Sequence, residues 1–175
     1  MLEKLSEKFP DDAPFIRNLI NSQQRVDSLR VYADWLEESG DMVRAEIVRI
    51  HIQMANLVQE SPQYRDRVEA RNQYLEELTK SFPHARQWLA LIGFGPIEVC
   101  FSAMKGNQPC PRRWENMPPV EGDGSKRLCL YCNRLVHYCD SIEEAAQYVE
   151  NGELVTVDPK VPRRRHDLGQ FRFGV

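Results

Sequence analysis

No apolar run in these 175 residues approaches the roughly 20 that a membrane helix needs, so no spanning segment is expected. The first eight residues include Glu3, Lys4, Glu7 and Lys8 and no apolar core. That is not the pattern of a secretory signal, and a cytoplasmic protein is expected. Charge of one sign is lacking too: 23 Lys and Arg stand against 26 Asp and Glu, a net of -3. Residues 1–102 carry 12 basic and 16 acidic side chains, and residues 103–175 carry 11 and 10. Neither part has the strong positive balance on which phosphate-backbone binding usually depends. Catalytic signatures are also missing. Gly93-Phe94-Gly95-Pro96 lacks the third glycine of a dinucleotide loop, and Pro96 has no N–H to offer a phosphate. There is no Walker loop, no His-Glu-x-x-His and no Gly-x-Ser-x-Gly. The four histidines are scattered, and none begins the His-x-Glu of a deaminase. The sequence therefore predicts a protein that is not an enzyme.

What is present is globular. Apolar residues make up 42% and charged residues 28% of the chain, with three Trp, six Tyr and seven Phe. This suffices for one medium domain or two small ones. Four of the five cysteines fall between 110 and 139. With the change in charge, this predicts a boundary near residues 90–105. In a cytoplasmic chain such cysteines point to metal or redox chemistry rather than to structural disulfides.

The first 92 residues read as an antiparallel helical module. Asp27-Ser28 can cap a helix carrying Leu29, Tyr32, Trp35 and Leu36, ended by Gly40. Asp41 caps the next helix at once. Its stripes, Met42/Ala45/Val48/Ile52 and Ile47/Ile50/Met54/Leu57, cover more than the arc of an ordinary surface helix, which predicts the most buried position. Ser61-Pro62 opens a third helix with Tyr64, Val68, Leu75, Leu78 and Phe82 on one face, interrupted by Arg71. Pro83 stops it, and a short turn with Trp88 and Leu89 follows. Tyr32 and Trp35 supply large buried area with polar ends that need partners, and Asp34, between them, is the candidate partner.

The runs Asp11-Asp12-Ala13-Pro14, Leu29 through Asp41 (with Tyr32-Ala33-Asp34-Trp35-Leu36-Glu37-Glu38 at its centre) and Arg44-Ala45-Glu46-Ile47-Val48-Arg49-Ile50 carry a resemblance. Over about residues 10–58 the chain resembles the bacterial repeat-companion domain. That resemblance implies a small helical module and no particular chemistry.

Beyond Phe94 the pattern changes. Pro96–Phe101 alternates as a strand would, with Cys100 as a small buried hydrophobe. Pro111 fits the first position of a short helix, making Cys110 its N-cap, where a thiolate is stabilised. Cys129-x-x-Cys132 leads into Leu135-Val136-His137-Tyr138-Cys139, which reads as a strand. A tight turn of two thiolates leaving into a strand is the pattern of a zinc knuckle, whereas a thioredoxin-type pair opens a helix. Tetrahedral zinc needs two more ligands. Cys110 and Cys139 complete a C-x18-C-x2-C-x6-C set, with His137 as the alternative to Cys139. Asp140-Ser141 then caps a helix, Asn151-Gly152 ends it, and Glu153–Val157 returns as a strand. With Cys110/Trp114/Met117, Arg127/Cys129/Cys132/Val136 and Ile142-Glu143-Glu144-Ala145, the span of about 108–158 is similar to an uncharacterised bacterial cysteine-motif module.

The expected architecture is α+β: a helical module over 1–92, a zinc-ribbon-like ββαβ module over 93–158, and a basic, aromatic tail over 159–175. One structural zinc per chain is expected, because the ribbon's core is small. A full set of protein ligands leaves no open position for catalysis. The function expected first is a cytoplasmic adaptor or regulator that binds another protein. The alternatives are a nucleic-acid-binding ribbon using Arg112, Arg113, Arg127, Arg134, Arg163, Arg164 and Arg165, and a thiol redox sensor built on Cys129 and Cys132. In the tail, Phe171, Phe173 and Val175 share one side at strand spacing.

Overall fold

A computed structural model describes residues 9–22, 24–59, 61–100, 112–120, 123–164 and 167–168. The fold is α+β, with helices first and a small mixed sheet after them. The chain divides into two compact units, Met1–Ile92 and Gly93–Val175.

The first unit contains α1 (Ala13–Asn21), α2 (Arg25–Glu38), α3 (Met42–Met54), α4 (Pro62–Ser81) and α5 (Ala85–Ile92). Helix α2 begins before Asp27-Ser28, the pair expected to cap it. Asp27 instead sits in the first turn, where it favours the helix dipole and pairs with Arg30 at 2.8 Å. Gly40 adopts φ +88, which lets its N–H reach Glu37 O and that of Asp41 reach Leu36 O. These two bonds close α2 in a Schellman motif, and a side chain at that φ would be strained. The Asp41 carboxylate then accepts the Arg44 N–H at 3.1 Å and starts α3 without an intervening loop. Helix α3 packs against both α2 and α4 and buries Ala45, Ile47, Val48, Ile50, His51 and Met54, so it is central as its two stripes predict. In α4, Arg71 does not interrupt the apolar face but continues it. It is fully buried and its Nε donates to His51 Nε2 at 2.6 Å. The turn expected around Trp88 is the helix α5, buried from Trp88 to Ile92.

The partner of Tyr32 is not Asp34. The Tyr32 hydroxyl donates to Asp12 Oδ2 at 2.8 Å and accepts from Trp88 Nε1 at 2.8 Å. Burial first, and then the Asp12 carboxylate, hold the Tyr32 phenol well above its ordinary pKa, so it remains a donor. Arg44 also binds Asp12, bonds Asp41 through Nε at 2.6 Å, and lies over the Phe82 ring at 4.6 Å. Asp34 is instead 71% exposed, 3.7 Å from Arg49.

The second unit holds a four-stranded sheet in the order β1 (Pro119–Val120), β2 (Asp123–Cys129), β3 (Arg134–Cys139) and β4 (Leu154–Val157). The first three strands run antiparallel. β4 lies parallel to β3, as the crossover through α6 (Ile142–Glu150) requires. Ser141 caps α6, accepting the Glu144 N–H at 3.2 Å, and Gly152 turns the chain at φ +75. Of the strand expected over 96–101, the described residues 96–100 form two bridges, Pro96 with Arg113 and Glu98 with Val155, and Phe101 lies outside the described residues. The alternation ends at Val99, whose φ of +58 no strand tolerates. The expected Cys110–Pro111 helix start lies outside the described residues, and a 3₁₀ turn follows at Trp114–Asn116. The described part of the 159–175 segment belongs to the second unit. Val161 and Leu168 are buried, and Arg163 pairs with both Glu98 and Asp167. The Phe171/Phe173/Val175 alternation lies outside the described residues.

Strand pairing sorts the side chains onto two faces. Arg127 pairs with Val136 and Cys129 with Arg134, while Val136 and Tyr138 pair with Leu154 and Thr156, so these share one face. His137 and Cys139, beside Val155 and Val157, share the other, on which Cys139 and Val155 cluster with Ala145 and Val149 of α6.

Candidate metal centre

The β2–β3 hairpin places Cys129 and Cys132 at the two ends of one turn. Cys129 O accepts the Asn133 N–H at 2.7 Å, closing a turn around Leu130–Cys132. Asn133 takes φ +55, a left-handed conformation that asparagine tolerates better than most residues. Within this turn the N–H groups of Tyr131 and Cys132 point at the Cys129 sulfur, and that of Arg134 points at Cys132. Burial disfavours the Cys129 thiolate. The two N–H groups, the Cys132 thiol and the Arg112 guanidinium outweigh it and hold the Cys129 thiol below its ordinary pKa. Burial, the hydrogen bond to Cys129 and the charges of Cys129 and Cys100 push the Cys132 thiol up. Of the two, Cys129 is thus the sulfur that gives up its proton more readily, with the Cys132 thiol hydrogen-bonded to it. Such a pair, already oriented by backbone dipoles, fits two positions of a tetrahedral zinc.

The remaining ligands expected from the sequence are placed differently. Cys110 lies outside the described residues. Arg112, two positions along, stands over the Tyr131 ring at 5.6 Å, so the described chain does reach the knuckle there. Cys139 does not reach it. It projects from the opposite face of the sheet, fully buried against α6, and at the usual rise it lies roughly 16 Å along β3 from Arg134. His137 shares that wrong face. Its ring stacks on Tyr148 at a centroid distance of 3.9 Å, and its Nε2 lies 2.7 Å from Glu153 Oε2 but off the line an N–H bond would need. The expectation that one of these two supplies the fourth ligand is corrected by sheet parity. Strict alternation groups them with each other and separates both from Cys129. Among the described residues, no three His, Cys, Asp or Glu side chains form a ready-made ion cage.

The arginines divide as clearly. Arg127 is 2% exposed, with Nη1 donating to the carbonyls of Trp114 and Met117 and its guanidinium 4.6 Å above the Trp114 ring. Arg163 is engaged by Glu98 and Asp167, which hold its pKa above the ordinary arginine value. Neither is free to meet a phosphate, so both leave the expected nucleic-acid set. Arg113 bonds Glu115 at 2.5 Å. Arg112, Arg134 and Arg164 remain, and Arg165 lies outside the described residues. The hairpin tip also exposes Leu130 (75%) and Tyr131 (66%), and Leu135 is exposed beside them.

His137 gives the unit a pH dependence. Burial holds its pKa below 6.5, against the opposing pull of Glu153. Below pH 6.5 the unfolded chain binds the proton more readily than the folded one, so stability rises with pH through this window. This contribution is complete above about pH 6.5 and is lost as pH falls toward the folded value. Urea titrations between pH 7.5 and 5 should show that loss in the wild type and a flatter profile in His137→Gln.

In comparisons with known proteins, no family model matches the chain, and neither does any curated protein or solved structure. The two resemblances therefore stand on their motif residues alone. Among the described residues no helix is long and apolar enough to cross a membrane. Spacing alone found Cys129 and Cys132. It missed Asp12, which sits far from Tyr32 in the chain, and it set Cys100 aside because no partner lies near it in sequence.

Proposed function

We propose that this chain is a non-catalytic cytoplasmic adaptor or regulator whose second unit is held by one structural zinc and docks a protein partner. The observation that carries this reading is the Cys129–Cys132 hairpin. It orients two sulfurs by backbone N–H groups and, at the same tip, exposes Leu130 and Tyr131 where a folded unit would ordinarily bury them. A structural zinc would rigidify the hairpin and so fix the apolar tip for recognition. The Cys129–Asn133 turn supplies the geometry of two thiolate ligands, and metal binding would release the thiol protons.

Two measurements test the reading. Protein purified without added zinc should carry about one zinc per chain by elemental analysis. A native pull-down should recover a protein that is retained by the wild type and lost with the Leu130→Ser/Tyr131→Ser double variant. Metal-free protein would overturn the zinc reading, and no recovered protein above background would overturn the adaptor reading.

A second reading has its own support. The hydrogen-bonded pair, with Cys129 pushed down and Cys132 pushed up, is also the arrangement of a thiol that attacks and a thiol that follows. A redox sensor would form a reversible Cys129–Cys132 disulfide, passing two electrons and two protons to an external oxidant, with the unit still folded. The nucleic-acid reading is weaker than the sequence suggests, because Arg127 and Arg163 are committed within the fold.

A further inference from the structure

We propose that the tip of the β2–β3 hairpin docks an acidic peptide segment of a partner protein, in which an apolar side chain is flanked by carboxylates. This inference rests on the adaptor reading above, and not on its zinc, and names the chemistry of the partner. The apolar side chains carry the first part. Among the described residues six large apolar side chains stand exposed, and Val31, Met42 and Val58 are spread along the first unit. The other three, Leu130 (75%), Tyr131 (66%) and Leu135 (41%), fall within the turn and the start of β3. Single exposed apolar residues need no explanation, whereas a cluster on one hairpin marks a recognition surface.

The charge at the tip carries the second part. From Gly124 to Cys139 the sequence contains no Asp or Glu, although the chain has 26 of them. Arg112 lies over the Tyr131 ring at 5.6 Å, and Arg134 pairs with Cys129 in the ladder beside the turn. Neither guanidinium meets a carboxylate among the described residues, whereas Arg113, Arg127 and Arg163 are each taken up within the fold.

These placements decide what can cover the tip. A partner that covers the Tyr131 ring also takes the guanidinium lying on it out of water. A charge so desolvated is costly unless the covering surface supplies an acceptor. Carboxylates do this best, because the planar guanidinium bonds them through two parallel N–H groups. The same cation–π contact orders the Tyr131 side chain before binding and so lowers the entropy lost on docking. Single-stranded nucleic acid fits less well. It needs a track of cations and aromatic faces for successive bases, and the described tip offers Tyr131 beside two leucines.

The test pans a randomised peptide library, displayed on phage, against the immobilised full chain. Selected peptides are then labelled and titrated by fluorescence anisotropy. They should be enriched in Asp and Glu around a Leu, Phe or Trp. Added to the wild type, they should shift the amide resonances of Leu130–Leu135, and their affinity should fall as salt rises. These readouts need no variant to fold. Arg112→Gln/Arg134→Gln should weaken binding by about tenfold at low salt, and Leu130→Ser/Tyr131→Ser should abolish it. Tip-bound peptides that are uncharged or basic, or binding indifferent to both salt and the arginine variant, overturn the acidic partner and leave the adaptor reading standing. An oligothymidylate that displaces the peptides overturns it in favour of nucleic acid. A wild-type dimer dissolved by Leu130→Ser/Tyr131→Ser overturns it in favour of a second copy. A library that yields no peptide shifting those resonances overturns docking at the tip, and with it the adaptor reading, an outcome distinct from the others.

Discussion

Asp12→Ala should destabilise the helical unit by about 3–5 kcal/mol, whereas Asp34→Ala should change it by less than about 0.5 kcal/mol. Asp12 is 3% exposed and accepts from two groups, the Tyr32 hydroxyl at 2.8 Å and the Arg44 guanidinium. Removing it leaves a fully buried phenol without its acceptor. It also leaves a guanidinium, about one-tenth exposed, with Asp41 as its remaining carboxylate. Breaking one side of a buried charged pair costs far more than the pair contributes in net terms, because the abandoned charge stays desolvated. Asp41 and the cation–π contact with Phe82 put the expected cost toward the lower end of the range. Asp34 offers the contrast: it is solvated and meets Arg49 only at 3.7 Å, and exposed pairs of that kind contribute little. Urea unfolding followed by far-ultraviolet circular dichroism measures both. Equal costs, or a larger cost at Asp34, would mean that the Tyr32 network is not as described.

That contrast marks how far the sequence could be read. Helix α3, its cap at Asp41, the Ser61-Pro62 start and the Ser141 cap were all legible, because capping and periodicity are local and act within one turn. The Tyr32 partner was not legible. Asp34 is adjacent on the same helix, but residues two apart point to different sides, and the true acceptor comes from another part of the chain. Arg71 broke the apolar pattern of α4 on paper, yet a buried guanidinium with His51 as acceptor satisfies the same face. The sulfur pair was legible from spacing, since C-x-x-C followed by a strand constrains a hairpin. The rest of the ligand set was not, because alternation along β3 was known but not which face the knuckle used. That parity emerges only from the pairing of Cys129 with Arg134, and it removes His137 and Cys139 together.

The same face decides the last case. Arg127→Ala should cost the second unit about 3–5 kcal/mol, and Arg127→Lys should recover only part of that. The guanidinium stacks 4.6 Å above Trp114 and gives Nη1 to the carbonyls of Trp114 and Met117 at 2.8 and 3.2 Å. It thereby ties the 3₁₀ turn to β2 and covers the floor between Val136 and Tyr138. Alanine removes the stacking area and takes a donor from both carbonyls; Trp114 O keeps the Met117 N–H at 3.1 Å, so the cost of about 1–3 kcal/mol for a lost donor falls on Met117 O. Lysine keeps the charge, but its compact ammonium lacks the planar fork that bonds and stacks at once. The nucleic-acid reading makes the opposite forecast for this residue. A phosphate contact at Arg127 would leave stability unchanged on substitution and reduce the salt slope of binding by about one. Urea titrations followed through the amide resonances of β2 and β3 separate the two. A substantial loss of stability, scaling from Lys to Ala, identifies Arg127 as a strut of the fold. An unperturbed unfolding curve would return it to the surface and restore the basic patch that its burial now removes.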